Sequence, residues 1–464
     1  MRSVRAYAPL GCLALVALLG CTDSPANNAA DVDAAGLDKR SPPPPPPPRP
    51  YAPDGCTHQV FIPPGVLDFT RGDRSTFGAA PAPTSVHVTW PADPATTIAF
   101  LWNTDRATRA TVVQYGTDRS ALDREVTGHV ASGGLSGVIV TAHEAHACGL
   151  TPDTTYYYRV GGEGHWSDVQ RFKTAPAPGQ SDYDVNFAVT GDSRDDVSVW
   201  RAVQERILSV SAMRQPDFEV FSGDAVYYGG IQSLWDDWFT GAAPTLRTMP
   251  FVNAHGNHEG LSINYLLQFA LPQAGRPDQD ELYFSFDYGP LHFVFINDTP
   301  FDGDYTGGLF GSQLRWLRDD LTRARARRAS VPWVVAVHHK GPFSAATHML
   351  DEDVMRISEV IAPVYAEFGV DLVLNGHDHH FEITHPLDGR GEPTSPERGT
   401  VYITAAAAGA GLYSTYPAPW QRYGESAVNF LLVHATMRAL DVTPYRGDGT
   451  LIAQGRLSLR PRAP

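Results

Sequence analysis

The sequence predicts an all-β sandwich followed by a larger domain of layered α/β class. Residues 82–175 hold short β-branched and aromatic runs separated by Asp, Gly and Pro, a texture typical of β-sandwiches. After Pro178, apolar strands alternate with longer helical patterns, which indicates a buried mixed sheet covered by helices. Several of these later strands end in Asp, Asn or His, and ligands gather outside the carboxyl ends of strands in such sheets. The length of 464 residues accommodates both domains and tails.

The predicted sandwich spans residues 81–177. Its expected strands are Val86–Trp90, Ile98–Trp102, Ala110–Tyr115 and Thr155–Val160. Residues 149–156 contain the pattern Leu-x-Pro-x-Thr-x-Tyr, which resembles a turn found before a late strand of fibronectin type III modules. The run Arg171–Pro176 looks like the final strand and exit of such a module. The resemblance implies a fibronectin III-like sandwich.

The predicted α/β domain spans residues 178–464. A helix-length segment, 197–213, separates its first two apolar strands. The expected strands are Val185–Val189, Phe218–Phe221, Leu291–Ile296, Trp333–Val337 and Val370–Leu374.

The N-terminus has the pattern of an export signal. Arg2 and Arg5 precede the apolar run Leu10–Leu19, which is too short for a permanent membrane helix. The sequence around Gly20-Cys21 resembles the lipobox of bacterial lipoproteins, in which the cysteine is lipidated. We therefore predict a signal peptide over residues 1–20 and a lipid anchor in the bacterial envelope, in the periplasm or at the surface, through Cys21. Plain secretion after ordinary cleavage is the alternative.

Residues 21–50 are predicted to be a disordered linker. They are rich in Ala, Asp, Asn and Pro and end in Pro42–Pro48, which forms a stiff, extended spacer. An N-terminal extension, 51–80, follows. Cys56 and Cys148 remain after export into an oxidising compartment, where they form either one disulfide or two buried free thiols.

The formal net charge of −15 argues against one class of partner. A surface with this acidic excess repels nucleic acid, and no basic run counters it, so we expect no nucleic-acid binding. An acidic excess also simply favours solubility.

Five short segments carry the chemistry. They are Gly191-Asp192-Ser193, Gly223-Asp224-Ala225-Val226-Tyr227, Gly256-Asn257-His258-Glu259, Val335-Ala336-Val337-His338 and Gly376-His377-Asp378-His379. Each places an oxygen or imidazole donor directly after an apolar strand. A mixed oxygen and nitrogen donor set suits hard or borderline metals, so the sequence predicts a metal centre at the carboxyl edge of the sheet.

These motifs resemble those of the calcineurin-like metallophosphoesterases, and within them the purple acid phosphatases. The resemblance covers about residues 80–460 and implies the layered metallophosphoesterase sandwich. The wider superfamily has Asp-x-His in its first motif, whereas this chain has Asp192-Ser193-Arg194. Purple acid phosphatases also lack that His and carry a Tyr three residues after the second Asp, the position of Tyr227 here.

The resemblance implies a ligand set for two metal ions. Asp192, Tyr227 and His379 would bind the first, Asp224 would bridge, and Asn257, His338 and His377 would complete the second site. In the family the first ion is Fe(III) and the second is Zn(II), Fe(II) or Mn(II). His338 and His339 are adjacent, and the spacing from Val335 favours His338.

The resemblance also implies roles for residues that bind no metal. His258 and His348 would assist the leaving group, and Asn257 and His258 would contact the phosphoryl group. His348 lies in a loop, where an ordinary exposed His is the alternative. Arg194 stands where the family has Gly, and it either reaches phosphate or pairs with Asp195 or Asp196.

The function implied is hydrolysis of small phosphate monoesters by metal-bound hydroxide attacking phosphorus in line, as in acid phosphatases. A phosphodiesterase or nucleotide hydrolase on the same centre is the nearest alternative, because only the pocket walls would differ. An inactive binding or adhesion lipoprotein is the alternative from another class.

Overall fold

The computed structural model describes residues 49–134, 139–177, 180, 183–211, 213–274, 281–299 and 311–462. The predicted signal peptide, the candidate lipidation site Cys21 and the linker up to residue 48 lie outside this part of the chain. Among the described residues, no helix is long and apolar enough to cross a membrane.

The N-terminal part is a sandwich of two antiparallel sheets, as the sequence predicts. One sheet has the order β1-β6-β7-β3-β2 and the other β5-β4-β8-β9. The strands are β1 Asp68–Arg71, β2 Thr84–Thr89, β3 Thr97–Asn103, β4 Val112–Gly116, β5 Arg124–Thr127, β6 His129–Gly133, β7 Val140–Cys148, β8 Thr155–Gly161 and β9 Gln170–Lys173. The strand β1 comes from the predicted extension 51–80 and pairs with β6.

A disulfide joins Cys56 to Cys148 at the end of β7. The two cysteines are 92 residues apart, so the cross-link removes a large loop entropy from the unfolded chain, roughly 4–5 kcal/mol by the chain-entropy relation. The structure therefore favours the disulfide over the free thiols.

Two mixed sheets form the second part, in agreement with the predicted α/β layers. Their orders are β12-β11-β10-β20-β21-β22 and β13-β14-β15-β16-β18-β17-β19. The strands are β10 Val185–Thr190, β11 Phe218–Phe221, β12 Phe251–Asn253, β13 Phe284–Tyr288, β14 Leu291–Phe295, β15 Trp333–Lys340, β16 Leu372–Gly376, β17 Phe381–Thr384, β18 Val401–Ala405, β19 Gln421–Glu425, β20 Asn429–Ala435, β21 Leu440–Arg446 and β22 Leu457–Leu459. The strands β10, β11 and β12 are parallel, and so are β14, β15, β16 and β18.

Helices cover these sheets. They are α1 Val197–Val210, α2 Gln232–Leu246, α3 Ile263–Leu266, α4 Gln313–Ala326 and α5 Glu352–Phe368. Helix α1 begins where the Asp196 side chain accepts hydrogen bonds from two backbone N–H groups, a regular N-cap. Helix α5 ends at Gly369, whose φ of 72° is the left-handed conformation that glycine adopts at no steric cost.

The strand β15 shows how the layers divide the side chains. All eight of its residues are buried, which is typical of a parallel strand covered on both faces. Val335 and Val337 belong to the core between the two mixed sheets, whereas Val334 and Ala336 pack with α4 and α5 on the other face. This alternation with a period of two decides which histidine at the end of β15 reaches the site.

The sandwich and the mixed sheets share one core. Trp90 of the sandwich is fully buried, and its ring lies 5.2 Å from that of Phe218 and 5.5 Å from that of Tyr288. The first part of the chain therefore packs directly on the part that carries the site.

Candidate metal centre

The predicted donors meet where parallel strands end. Asp192 follows β10, Asp224 follows β11, Asn257 follows β12 and His377 follows β16. Because β10, β11 and β12 are parallel neighbours, the first three segments come together at one edge of their sheet. The end of β16, in the other mixed sheet, meets them there, since the backbone N–H of His377 bonds to Asp192.

The backbone at these strand ends is unusual. Asp192, Asp224 and His377 adopt positive φ angles of 52°, 61° and 70°. For residues other than glycine this conformation costs about 1–3 kcal/mol each and persists only where the surrounding fold enforces it. Gly376 permits the close approach, since a Cβ there would lie 2.4 Å from Oδ2 of Asp192.

One donor cluster surrounds Asp224. Donor atoms of Asp224, His339 and His377 all lie within 4.8 Å of one another, and all three residues are buried. Nε2 of His339 lies 3.4 Å from Oδ2 of Asp224 and 3.0 Å from Oδ1 of Asn257. Two imidazoles, a carboxylate and an amide oxygen thus face the same small space.

A second pair of donors lies beside this cluster. Oδ1 of Asp192 is 3.5 Å from Nε2 of His379. The backbone N–H of His377 donates to both carboxylate oxygens of Asp192, at 3.1 Å each, and Nδ1 of His379 donates to the carbonyl of Gly411 at 2.7 Å. These bonds fix both side chains with Nε2 of His379 directed at the carboxylate.

The structure places His339, and not the predicted ligand His338, among the donors. His338 is fully buried, donates from Nδ1 to Asp298 at 2.8 Å and packs against Tyr365 of α5. His339 occupies the site because alternation along β15 places it on the face of Val335 and Val337. The choice of His338 rested on its spacing from Val335. The alternation of side chains along the strand, which is visible in the sequence, indicates His339 instead.

Arg194 enters the centre and also pairs with a neighbour. Its Nε lies 3.5 Å from Oδ2 of Asp224, its Nη2 lies 3.2 Å from Nε2 of His379, and its Nη1 lies 3.0 Å from Asp195. Tyr227 is 43 % exposed, and its ring centre is 5.3 Å from the Arg194 guanidinium carbon. Arg194 is therefore in contact with Tyr227 as well as with the buried donors.

Two further histidines border the centre. His258 donates from Nδ1 to the carbonyl of Tyr227 at 2.7 Å, and its Nε2 lies 3.8 Å from Oδ2 of Asp224. His348 stacks on His377 with ring centres 4.2 Å apart, and its Nδ1 bonds to Asp351 at 2.7 Å. Both predicted catalytic histidines thus lie beside the donor cluster.

Two residues of the centre had no predicted role. The buried carboxylate of Glu259 accepts hydrogen bonds from the backbone N–H groups of Asp224 and Gly256, which ties two strand-end loops together. Glu259 stands in one of the five motifs, so its position was a usable signal. Tyr413 stacks on His379 with ring centres 4.1 Å apart, and it comes from a loop without any motif.

Burial and neighbouring charges shift the pKa values of residues in the centre. Burial and the neighbouring Asp224 raise the pKa of Asp192 well above its usual value. Burial opposes the charge on His339, yet Asp224 and Asp192 raise its pKa to about 10. Two buried carboxylates thus lie beside several imidazoles and Arg194, and buried charges of this kind need compensation.

Comparisons with known proteins agree with this geometry. Residues 83–174 match the purple acid phosphatase N-terminal domain, and residues 185–381 match the calcineurin-like phosphoesterase family. Acid phosphatase type 7 of Homo sapiens is 27% identical over 402 residues, covering 79% of this chain and 89% of that protein. Purple acid phosphatase 22 of Arabidopsis thaliana is 26% identical, covering 82% of this chain and 83% of the relative.

The chain belongs to the purple acid phosphatase-like metallophosphoesterases. It is accordingly a metal-dependent phosphoric ester hydrolase of a family that uses a binuclear metal centre. Solved structures share the fold of this phosphatase. Purple acid phosphatase PPD1 from yellow lupin (Lupinus luteus) seeds has a TM-score of 0.70 at 19% identity, with 82% of this chain and 75% of that chain covered. A structure of PhoD has a TM-score of 0.61 at 13% identity, with 84% and 94% covered.

The donors of this phosphatase fit the metals of its family. Asn257, His339 and His377 with Asp224 offer oxygen and nitrogen donors for one ion, and Asp192 and His379 offer donors for the other beside the same Asp224. The set contains no thiolate, and its mixed oxygen and nitrogen donors suit hard or borderline metals.

Proposed function

We propose that this chain is an exported, lipid-anchored phosphatase that hydrolyses small phosphate monoesters at a two-metal centre. The observation that carries the proposal is the position of Asp224, whose buried carboxylate contacts His339 and acts electrostatically on Asp192. Its Oδ2 is 3.4 Å from His339 of one site and 3.5 Å from Arg194, which in turn contacts His379 of the other. A single carboxylate can bridge ions about 3.5–4 Å apart.

The ions would supply the electrostatic part of the chemistry. When bound, they would neutralise phosphate charge and lower the pKa of a coordinated water toward about 7. Fe(III) beside Tyr227 and Zn(II), Fe(II) or Mn(II) beside His339 is the distribution that the family resemblance favours. His339 replaces His338 in this assignment.

Arg194 would orient the phosphoryl group. Its side chain is only 9% exposed and reaches the centre next to Asp224. A guanidinium can donate two parallel hydrogen bonds to a phosphoryl oxygen pair, so it fixes orientation as well as charge.

His258 would protonate the departing alcohol oxygen. Its Nδ1 proton is held by the Tyr227 carbonyl, so Nε2 is the atom that can carry a second proton toward the centre. The carboxylate of Asp224 lies 3.8 Å from this atom. His348, stacked on His377, stands on the same rim and would assist at the phosphoryl group.

Export is supported by two features. Residues 1–21 have the signal and lipobox pattern, and the Cys56–Cys148 disulfide is typical of an oxidising compartment. Cys21 would attach the protein to the cell envelope, with the proline-rich linker as a spacer. The partners expected are small phosphorylated molecules, and nucleic acid is not among them because of the acidic charge.

A leaving-group experiment tests the proposal. The wild-type protein and His258→Asn should be assayed on a 4-nitrophenyl monoester, an alkyl monoester and bis(4-nitrophenyl) phosphate. General acid catalysis contributes about 10²–10⁴-fold where the alkoxide is a poor leaving group, so His258→Asn should lose most activity on the alkyl ester and least on the nitrophenyl ester.

The exposed His434 offers the matched control, since its side chain is 41% exposed on β20. His434→Asn should leave all three rates unchanged. Faster hydrolysis of the diester than of both monoesters would favour the phosphodiesterase alternative. Absence of hydrolysis for every ester in metal-loaded protein would contradict the proposal.

A further inference from the structure

A cavity opens beside the metal centre. Its volume is about 490 Å³, within the range of small-molecule sites. Arg194 and Tyr227 form the end that faces the donor cluster. The remaining wall is largely carbon and includes Val226, Tyr228, Ile231, Leu234 and Trp238.

The apolar side chains of this wall are unusually open to solvent. Tyr227, Tyr228 and Ile231 are 43%, 58% and 45% exposed. Single exposed apolar residues are ordinary, but a contiguous group that lines a cavity marks a binding surface. The rings of Tyr227 and Tyr228 meet edge to face at 4.7 Å, so the two side chains form one continuous aromatic part of the wall.

The cavity lies beside the residues to which the proposed function assigns the phosphoryl group and the leaving group. The ring of His258 is 5.2 Å from that of Tyr227, which lines the cavity. Arg194 lines the same cavity while its Nε lies 3.5 Å from Asp224. A phosphoryl group held at Arg194 therefore has its ester substituent next to the apolar wall.

We propose that this cavity is the leaving-group pocket of the enzyme and that it selects phosphate esters of aromatic alcohols over those of small polar alcohols. The inference rests on the proposed monoesterase function and adds the substrate class. The hydrolysis itself is that described above: the P–O bond to the aryl oxygen breaks, water supplies the hydroxyl on phosphorus, and a proton goes to the departing oxygen.

Substrate ratios test the pocket. The ratio of kcat/KM for 1-naphthyl phosphate to that for glycerol 2-phosphate should be well above one in the wild type. Ile231→Asn and Tyr228→Ser should each lower this ratio by about tenfold, the usual worth of one apolar pocket contact. Because the ratio is taken within one preparation, partial unfolding of a variant does not change it.

Leu67 provides a matched control, since it is 61% exposed and lies in the N-terminal part of the chain. Leu67→Asn should keep the wild-type ratio. A wild-type ratio near one, or ratios unchanged in both pocket variants, would overturn the proposal.

Binding without turnover separates this inference from the proposed function. Calorimetry on the holoprotein should give phenylphosphonate at least tenfold higher affinity than methylphosphonate, and Ile231→Asn should remove most of that difference. If no ester is hydrolysed, the proposed function fails while this binding preference still tests the pocket. Equal affinities for the two phosphonates would exclude an aromatic pocket.

Discussion

Nη2 of Arg194 lies 3.2 Å from Nε2 of His379. Since Nδ1 of His379 donates to a backbone carbonyl, Nε2 carries the lone pair, and the guanidinium donates to the atom that would bind a metal. The same side chain lies 3.5 Å from Asp224. A permanent cation therefore stands beside the first metal position, where the family pattern has glycine.

Removing this charge should strengthen metal binding. We expect Arg194→Gln to bind the first metal about tenfold more tightly, because two like charges a few ångströms apart repel even when partly screened. Titration of the metal-free protein by calorimetry measures the change. The same variant should have a higher KM for phosphate esters, since a bidentate donor is lost.

Arg201 on the exposed side of α1 is the control for this prediction. Arg201→Gln should change neither metal affinity nor KM. Unaltered metal affinity in Arg194→Gln would mean that the guanidinium leaves the centre without cost when metal binds.

The paired histidines of β15 give a second prediction. His339→Ala should lose one of the two metal ions and at least about 10²-fold in kcat, because it removes a ligand of a two-metal clamp. His338→Ala should retain both ions and lose about 1–3 kcal/mol of unfolding free energy, because the buried carboxylate of Asp298 loses a hydrogen-bond donor and keeps the backbone N–H of Lys340.

Elemental analysis and chemical denaturation of both variants measure these effects. The reverse pattern, with metal lost from the His338 variant only, would restore the original ligand assignment.

Tyr227 gives a spectroscopic prediction. If its phenolate binds Fe(III), the oxidised iron-loaded protein has a visible charge-transfer band, and Tyr227→Phe removes it. In the structure the ring is half-exposed and lies against Arg194, so the ring must approach the ion for the band to arise. Tyr228→Phe is the neighbouring control and should keep the colour. A colourless iron-loaded wild type would place a different ligand at the first ion.

We expect a buried histidine away from the centre to make the free energy of unfolding depend on pH. His292 bonds to Asp287 at 2.7 Å and to Asp320 at 2.8 Å, while Arg327 and Arg323 flank these carboxylates. Burial alone would lower the pKa of His292, but the two carboxylates raise it to about 8.

Because this pKa is higher in the folded than in the unfolded protein, the protonated ring stabilises the fold. The contribution is complete below about pH 6.5 and is lost as the pH rises through about 8, with a size of about 2 kcal/mol. Urea unfolding at pH 6 and pH 9 measures it. His292→Gln should remove this difference between the two pH values. An equal difference in the variant would assign it to other groups.

Much of the centre was predictable because strand ends are visible in sequence. Asp192 and Asp224 follow neighbouring parallel strands of one mixed sheet, whose ends share an edge, and His377 follows an apolar strand of the other mixed sheet. Their left-handed backbone was not predictable, since only the folded loops enforce it.

The features of the centre that the sequence did not predict depend on tertiary contacts. The choice between His338 and His339 depended on which face of β15 meets the inner core. The loop of Gly411 and Tyr413 follows β18 and has no motif, so its contact with His379 appears only after folding. The side chain of Arg194 pairs with Asp195, which was one of the predicted alternatives. It also enters the centre beside Asp224, and its closeness in sequence to Asp195 did not indicate this contact.

The metal content of the purified, signal-less protein tests the central claim most directly. Elemental analysis should give two metal ions per chain in active wild-type protein, with phosphomonoesterase activity that disappears on chelation and returns on reloading. Less than one ion per chain in protein that still hydrolyses phosphate esters would contradict the two-metal account.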